Sequence, residues 1–196
     1  MHRESYSPIS PSAAWTGASP WMRSVGAIAA GSLLLAVCAR VSVPLWFTPV
    51  PLSLQPFGVL LLGLMLSPRL AIATVIAYLA EGVSGLPVFA PSPMSGVAHL
   101  LGPTGGYLMA YPVAAGLISF LWRRTGRGFS IALVSAALGD LLILGCGAVW
   151  LDAISHAGAV SALFAGMLAF VPGDALKIAA AAGLAAGWER GRRQFQ

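Results

Sequence analysis

Long apolar stretches dominate this sequence, and the charged residues collect in the short runs between them. Six such stretches occur, at residues 22–43, 57–66, 69–83, 104–122, 128–150 and 159–187. An α-helix needs about 20 mainly apolar residues to cross a bilayer, and most of the stretches approach or exceed that length. The pattern predicts an all-α membrane protein, a six-helix transmembrane bundle with long irregular outer loops.

The composition supports a membrane protein and argues against a soluble one. Hydrophobic residues make up 58% of the chain and charged residues 9%, and the mean hydropathy is +0.83. Soluble domains carry about 25% charged residues, so this chain has too little polar surface to face water on all sides.

The distribution of arginine predicts the orientation of the chain. If both termini are cytoplasmic, nine of the ten arginines lie on the cytoplasmic side and Arg40 alone lies outside, as the positive-inside bias requires. The net charge of +5 therefore reflects orientation, and we expect no nucleic-acid partner. We divide the chain into a disordered cytoplasmic tail at 1–20, a membrane substrate-binding domain at 21–188 and a basic cytoplasmic tail at 189–196.

Two proline-rich segments interrupt the helical pattern on the predicted outer side. The segment 43–57 holds four prolines, which favour extended backbone, and the apolar stretch after it is only about half as long as a bilayer is thick. The segment 84–106 holds five glycines and four prolines. Non-helical backbone at membrane depth is tolerated where it lines a cavity, so these segments suggest the walls and lid of an outward-facing pocket. The alternative is that they are ordinary connections that pack on the helix ends.

Four charged residues, Glu81, Asp140, Asp174 and Lys177, lie within or near the ends of the apolar stretches. Each is costly in a bilayer, and such residues normally face the bundle interior or a water-filled cavity. Asp174 and Lys177 are spaced i, i+3 on one helix face, and the Pro-Gly dipeptide at 172–173 should loosen the helix beside them. Three interpretations stay open: an ion pair that fixes helix packing, a ligand site, or a proton relay.

The chain shows little sign of catalytic chemistry. It has no phosphate-binding loop, and no Gly-x-Ser-x-Gly elbow supports a hydrolase built on Ser95, His99 or His156. We therefore predict that the protein is not an enzyme and needs no cofactor.

Small residues form a stripe along the first helix and predict a close helix neighbour. The stripe consists of Ala29, Ser32, Ala36 and Ala39. The neighbour is either another helix of this chain or a partner subunit.

Four motifs together resemble one known family. They are PVPLSLQPFGVLLLG at 49–63, GLPVF at 85–89, LGPTGGYLMAYP at 101–112 and VPGDALKIA at 171–179. In this order and spacing the chain, from about residue 27 to 187, is similar to the BioY family, the biotin-binding S components of energy-coupling factor (ECF) transporters. The resemblance implies a six-helix protein of the bacterial cell (inner) membrane that binds biotin from outside.

The resemblance also assigns residues and partners. The acid and lysine of the last family motif, which recognise biotin, fall on Asp174 and Lys177. Further expected substrate-binding residues are Gln55, Phe89, Thr104, Tyr107 and Asp140. The expected partners are the lipid bilayer, a membrane coupling protein and two ATP-binding-cassette ATPases, with the small-residue stripe as a docking face. In one departure, the stretch 90–99 has no arginine or lysine that could supply a further cation for the biotin carboxylate.

Two other functions remain as alternatives. An S component for another vitamin would keep the fold and the partners, and ligand competition would distinguish it. A proton-coupled secondary carrier would need no ATPases and should respond to the loss of a proton gradient.

Overall fold

The computed structural model describes residues 19–156 and 158–194, and most of the predicted tail at 1–20 lies outside them. The described residues form eight α-helices, one π-helical segment and one two-stranded hairpin. The helices are α1 Pro20–Arg40, α2 Gln55–Met65, α3 Pro68–Val83, α4 Val97–Leu101, α5 Gly105–Arg124, α6 Phe129–Ser155, α7 Ala159–Leu163 and α8 Val171–Gln194, the π-helical segment is Phe164–Leu168, and the strands are β1 Ser42–Val43 and β2 Leu52–Ser53.

The helical membrane architecture predicted from the sequence is confirmed. Four helical stretches of the described chain are long and apolar enough to cross a bilayer: Pro20–Arg40, Gly105–Arg124, Phe129–Ser155 and Ala159–Gln194. Helix α2, with 11 residues, and α3, with 16, are shorter. Their lengths match the two short apolar stretches of the sequence.

Prolines determine where several helices begin. Proline occupies one of the first two positions of α1, α2 and α3, where its missing N–H would have had no partner in the helix. The extended segment before α2 folds back on itself, because β1 and β2 pair antiparallel with Ser42 opposite Ser53. This hairpin brings the chain from the end of α1 to the start of α2.

Helix α5 lies at the centre of the bundle. It packs against α6, α3 and α2, while α8 packs on α6 and α2, and α1 on α3. The core has two parts. One contains Ile118, Trp122 and Ala181 towards the arginine-rich helix ends, and the other contains Tyr78, Tyr111 and Phe170 towards the irregular loops.

The last apolar stretch, read as one helix from the sequence, is broken. After α7 the backbone passes through the π-helical segment and a turn at Ala169–Phe170 before α8 begins. Pro172 is thus the second residue of α8. We expected Pro172 to loosen a helix that had already begun. Instead, Pro172 lies where a new helix starts. Residues 189–194, expected as part of a basic tail, continue α8.

The small-residue stripe of α1 is divided between the interior and the surface. Ser32 and Ala39 are buried in the chain, and the Ser32 hydroxyl donates a hydrogen bond to the Glu81 carboxylate of α3. Ala36 is partly buried and Ala29 is exposed. Ser32 and Ala39 therefore serve packing within the chain, which corrects the expectation that all four residues form a docking face.

Candidate functional site

A pocket at the centre of the molecule, which we call the inner pocket, is bordered by the hairpin and by α2, α5, α6 and α8. Its lining consists of Val50, Pro51, Ser53, Gln55, Pro56, Thr104, Tyr107, Leu108, Tyr111, Ile143, Leu144, Phe170, Asp174 and Lys177. Five of the seven predicted substrate-binding residues lie here together: Gln55, Thr104, Tyr107, Asp174 and Lys177.

Asp174 and Lys177 form a buried ion pair at the wall of this pocket. The Lys177 ammonium donates to Asp174 Oδ1 at 2.6 Å, and the two residues are 8% and 2% exposed. Asp174 lies in the first turn of α8, where the positive end of the helix dipole favours a carboxylate. Its second oxygen, Oδ2, is buried without a hydrogen-bond partner among the described residues. The pair thus offers a free acceptor beside an ammonium group that has N–H donors to spare.

Gln55 is held by a hydrogen-bond chain that crosses from α2 to α3. Its Nε2 donates to the Tyr78 hydroxyl at 2.7 Å, and that hydroxyl donates to the Val88 carbonyl at 3.0 Å. Because Gln55 is buried and its amide nitrogen is engaged, the orientation of its side chain at the pocket wall is fixed.

Tyr107 joins α5 to the π-helical segment. Its hydroxyl donates to the Gly166 carbonyl, and its ring covers Gly147 of α6, where an added Cβ would lie 2.1 Å from the ring. Only glycine at 147 permits this approach. The ring is therefore held against α6, with Phe170 at 6.4 Å in an edge-to-face arrangement.

Phe89 lies outside the inner pocket, contrary to expectation. Its ring packs edge-on against Tyr78 and stacks on His99 at 4.9 Å. It also covers Gly82 of α3, where an added Cβ would lie 2.0 Å from the ring. Phe89 therefore holds Tyr78 in place by packing against its ring, and Tyr78 in turn holds Gln55 by a hydrogen bond.

Asp140 also lies outside the lining of the inner pocket. It is 3% exposed in the middle of α6, and its Oδ1 has no hydrogen-bond partner among the described residues. Asp140 thus lies in the bundle interior and has no direct position at the inner pocket.

A second pocket, the outer pocket, adjoins the first between the two proline-rich segments. Its lining consists of Pro44, Leu45, Thr48, Pro49, Pro51, Ala90, Pro91, Ser92, Pro93, Met94, His99, Pro103 and Thr104. Pro51 and Thr104 border both pockets. The outer pocket measures about 290 Å³ and the inner pocket about 40 Å³, so the inner one is the smaller. The two irregular segments do form pocket walls, as the sequence suggested.

Several pocket residues were not found by sequence reasoning. Tyr111 lies one helical turn after Tyr107, and this i, i+4 spacing on α5 could have identified it. Phe170 in the pocket lining, and Tyr78, which bonds to Gln55 from outside the lining, gave no such signal, because an aromatic residue in an apolar stretch looks like an ordinary core residue.

The arrangement suits binding and not bond making. The described residues place a charged pair, an amide and hydroxyl groups in a mainly apolar lining, as is typical of small-molecule sites. These groups are complementary to a ligand with an apolar body and one compact polar end that both donates and accepts hydrogen bonds.

Comparisons with known proteins agree with this reading. The BioY family profile matches residues 9–194. A probable biotin transporter BioY of Pyrococcus horikoshii is 37% identical over 159 residues, covering 81% of this chain and 91% of that protein. The biotin transporter BioY of Thermotoga maritima is 35% identical over 149 residues, covering 76% of this chain and 85% of that protein.

A solved structure is similar over most of the chain. The crystal structure of the S-component for biotin from an ECF-type ABC transporter superposes with a TM-score of 0.80 at 27% identity, covering 87% of this chain and 92% of the other. From the family profile, the relatives and this structural likeness, we conclude that the chain belongs to the BioY family.

Proposed function

We propose that this protein is the membrane-embedded S component of an ECF-type transporter, which binds biotin from the outer face for ATP-driven import by partner subunits. The observation that carries the proposal is the Asp174–Lys177 pair, buried at the inner pocket with an unpartnered carboxylate oxygen. A buried pair seldom stabilises a fold more than apolar residues would, so its position in a pocket favours a role in recognition.

The chemistry of biotin fits this pair. The ureido ring of biotin presents two N–H donors and one carbonyl acceptor, and a largely apolar body links it to a carboxylate. In the inner pocket, Asp174 Oδ2 provides a free acceptor, and Lys177 retains N–H donors beyond its bond to Asp174. Leu108, Ile143 and Leu144 supply apolar surface.

The partners follow from the family. The related solved structure is described as the S-component of an ECF-type ABC transporter, so the partners here would be a membrane coupling protein and two ATPase subunits. On α1, Ala29 is exposed and Ala36 is partly exposed. They are the residues of the stripe at which a partner helix could approach closely.

The topology proposed is six crossings with both termini cytoplasmic, in the inner membrane of a bacterial cell. In this arrangement α2 and α3 form the second and third crossings and the α7–α8 stretch the sixth. The arginines at the ends of α5 and α8 support this topology. It places both helix ends on the cytoplasmic side, where the positive-inside bias favours arginine. The substrate-binding domain is then residues 21–188.

Calorimetric titration of biotin into the detergent-purified protein tests the proposal. We expect nanomolar-class binding by the unmodified protein and a loss of more than tenfold, about 1.4 kcal/mol, in both Asp174→Asn and Lys177→Ala. The folded state of each variant is checked by its thermal unfolding midpoint. A folded protein that does not bind biotin, confirmed by a displacement assay, refutes the biotin assignment.

Two further measurements separate the alternatives. If another vitamin displaces biotin with higher affinity, the protein is an S component for that vitamin. If uptake in cells stops when the proton gradient is dissipated and continues without the ATPase subunits, the protein is a secondary carrier.

A further inference from the structure

The loop between β1 and β2 carries two exposed aromatic side chains at its tip. Trp46 is 96% exposed and Phe47 is 47% exposed, and their rings meet edge-on at 5.4 Å. The Trp46 indole N–H has no hydrogen-bond partner among the described residues. Exposed aromatic side chains that belong to a larger apolar patch mark an interaction surface, so the surroundings of this tip decide what it contacts.

The aromatic tip continues the exposed apolar surface of α1. Val37 and Val41 at the end of α1, and Val43 in β1, are each more than half exposed. The stretch 41–68 contains no charged residue, so the hairpin offers no charge to water. The exposed surface from α1 to Phe47 is therefore suited to a bilayer more than to bulk solvent.

The length of α1 determines the depth of the tip. Helix α1 has 21 residues, which at about 1.5 Å per residue span about 30 Å, the thickness of the hydrocarbon core. The hairpin begins at Ser42, two residues after α1 ends, and so lies level with the lipid headgroups. Tryptophan is enriched at this depth, because its ring is apolar while its N–H bonds to polar groups. Under the proposed topology this is the outer leaflet.

The other side of the hairpin borders the outer pocket. Pro44, Leu45, Thr48 and Pro49 all line that pocket. Leu45 packs against the core and Thr48 is buried, whereas Trp46 between them points away from the chain. The tip and the pocket wall are thus two faces of one short hairpin, so contacts that hold the tip also hold the wall.

We infer that Trp46 and Phe47 insert into the headgroup layer of the bilayer and so hold the hairpin wall of the outer pocket in place. The hairpin needs such support, because its two strands have two residues each and an isolated hairpin is marginally stable at best. A transmembrane helix of a partner is a poorer match, because the tip lies beyond the end of α1. The insertion concerns depth, so it depends neither on the ligand nor on which leaflet is involved.

Fluorescence quenching in nanodiscs measures the depth of Trp46. The protein is reconstituted in phosphatidylcholine with bromine attached near the headgroup or near the end of the acyl chain, and iodide serves as the quencher in water. The chain has six tryptophans, so the emission of Trp46 is taken as the difference between the unmodified protein and Trp46→Phe. We expect bromine near the headgroup to quench more than about half of this emission, bromine at the chain end to quench less, and iodide to have little effect.

Two other tryptophans calibrate the measurement. Trp21, 67% exposed at the opposite end of α1, should behave as Trp46 does, and Trp122, 3% exposed, should be quenched weakly by all three. Each emission is isolated by its own substitution with phenylalanine. Quenching of Trp46 by iodide alone would place the tip in water, and strongest quenching by bromine at the chain end would place it in the hydrocarbon core. Quenching by none of the three would show that protein covers the tip. Each of these results overturns the inference.

Hydrogen exchange tests whether the bilayer holds the pocket wall. In the double variant Trp46→Ser, Phe47→Ser, the backbone amides within 44–53 should exchange at least about tenfold faster than in the unmodified protein in the same nanodiscs, because the apolar contact that holds the hairpin is lost. Val160→Ser, which removes an exposed apolar side chain from α7, is the matched control and should leave this exchange unchanged. Equal exchange in the double variant and the unmodified protein overturns the role of the bilayer in holding the wall. Biotin titration tests the proposed function separately, and neither result changes its outcome.

Discussion

The inner and outer pockets adjoin at Pro51 and Thr104, yet they are constructed differently. The inner pocket takes most of its polar groups from helices, and its Gln55, Tyr107 and Lys177 are each fixed by a hydrogen bond. The outer pocket is bordered by six prolines and carries its polar groups on loops and on the short helix α4. Rigid helices can hold a charged pair in one geometry, whereas loops can rearrange to admit a ligand.

This difference suggests a division of roles. Under the proposed function, the inner pocket, which is small and closely bonded, would determine which ligand binds, because a misfit there leaves buried polar groups unpaired. The larger outer pocket would determine how the ligand enters. Changes to the inner pocket or its supports should therefore reduce affinity much more than changes to the outer one.

Removal of the Lys177 ammonium should have the largest effect. Lys177→Met leaves the Asp174 carboxylate buried and unpaired, which costs about 3 to 5 kcal/mol of stability and should lower biotin affinity more than about 100-fold. Thermal unfolding and biotin titration measure the two effects.

The double variant Asp174→Asn, Lys177→Met separates packing from recognition. Because it leaves no unpaired charge, its stability should return close to that of the unmodified protein, while biotin binding stays lost. A double variant that still binds biotin tightly would show that the pair serves packing alone.

Displacement of Phe89 should have the next largest effect. In Gly82→Ala the new Cβ would lie 2.0 Å from the Phe89 ring, and such overpacking costs about 1 to 3 kcal/mol. Because Phe89 supports Tyr78, biotin affinity should fall as well. Gly183→Ala in α8, where no heavy atom lies within 4 Å, is the matched control. Equal unfolding midpoints for the two variants would contradict the packing argument.

Loss of the Tyr78 hydroxyl should have a moderate effect. Tyr78→Phe removes the group between Gln55 and Val88 and should cost about 1 kcal/mol of stability, with a several-fold weaker biotin affinity in titration. The control is Tyr111→Phe, since the described residues give the Tyr111 hydroxyl no hydrogen bond. If Tyr78→Phe and Tyr111→Phe lower the free energy of unfolding equally, the hydrogen bond between Gln55 and the Tyr78 hydroxyl does not explain the loss of stability.

A change in the outer pocket should have the smallest effect. Thr48 Oγ1 accepts a hydrogen bond from the Val50 N–H at 3.3 Å, which shapes the loop between β1 and β2. Thr48→Val should change the association rate of biotin, followed by stopped-flow fluorescence, by less than about threefold and leave the equilibrium affinity almost unchanged. If Thr48→Val lowers biotin affinity as much as Tyr78→Phe does, the proposed division of roles between the two pockets is wrong.

Much of the fold follows from the sequence because each membrane helix is a long apolar run. The short length of α2 was readable from the prolines at 56 and 68, which leave only 11 residues between them. The break at Ala169–Phe170 was not readable. The stretch 159–171 is apolar apart from Ser161. The hydrogen bond from Tyr107 to Gly166 in the π-helical segment joins residues 59 apart in the sequence, and local sequence does not encode such a contact.

The candidate site was predictable where a polar residue stands out in an apolar stretch. Asp174 and Lys177 are such residues. Gln55, which lies in a proline-rich segment, was assigned through the family resemblance, and the structure brings all three together. Phe89 lies outside the lining of the inner pocket, because its position depends on tertiary contacts that join α3 to the loop after it. The hydrogen bond from Gln55 to Tyr78 joins residues that are 23 apart in the sequence, so no local sequence pattern predicts it.

The spacing of Asp174 and Lys177 has a consequence for biogenesis. Each charge costs about 2.5 to 3.5 kcal/mol at the centre of an inserting helix. Because both partners lie on one turn of α8, they can neutralise each other as soon as that turn forms, before any other helix has docked. The segment can therefore insert as a nearly neutral one, and Asp174 and Lys177 can enter the lipid before the other helices that border the inner pocket have packed against α8.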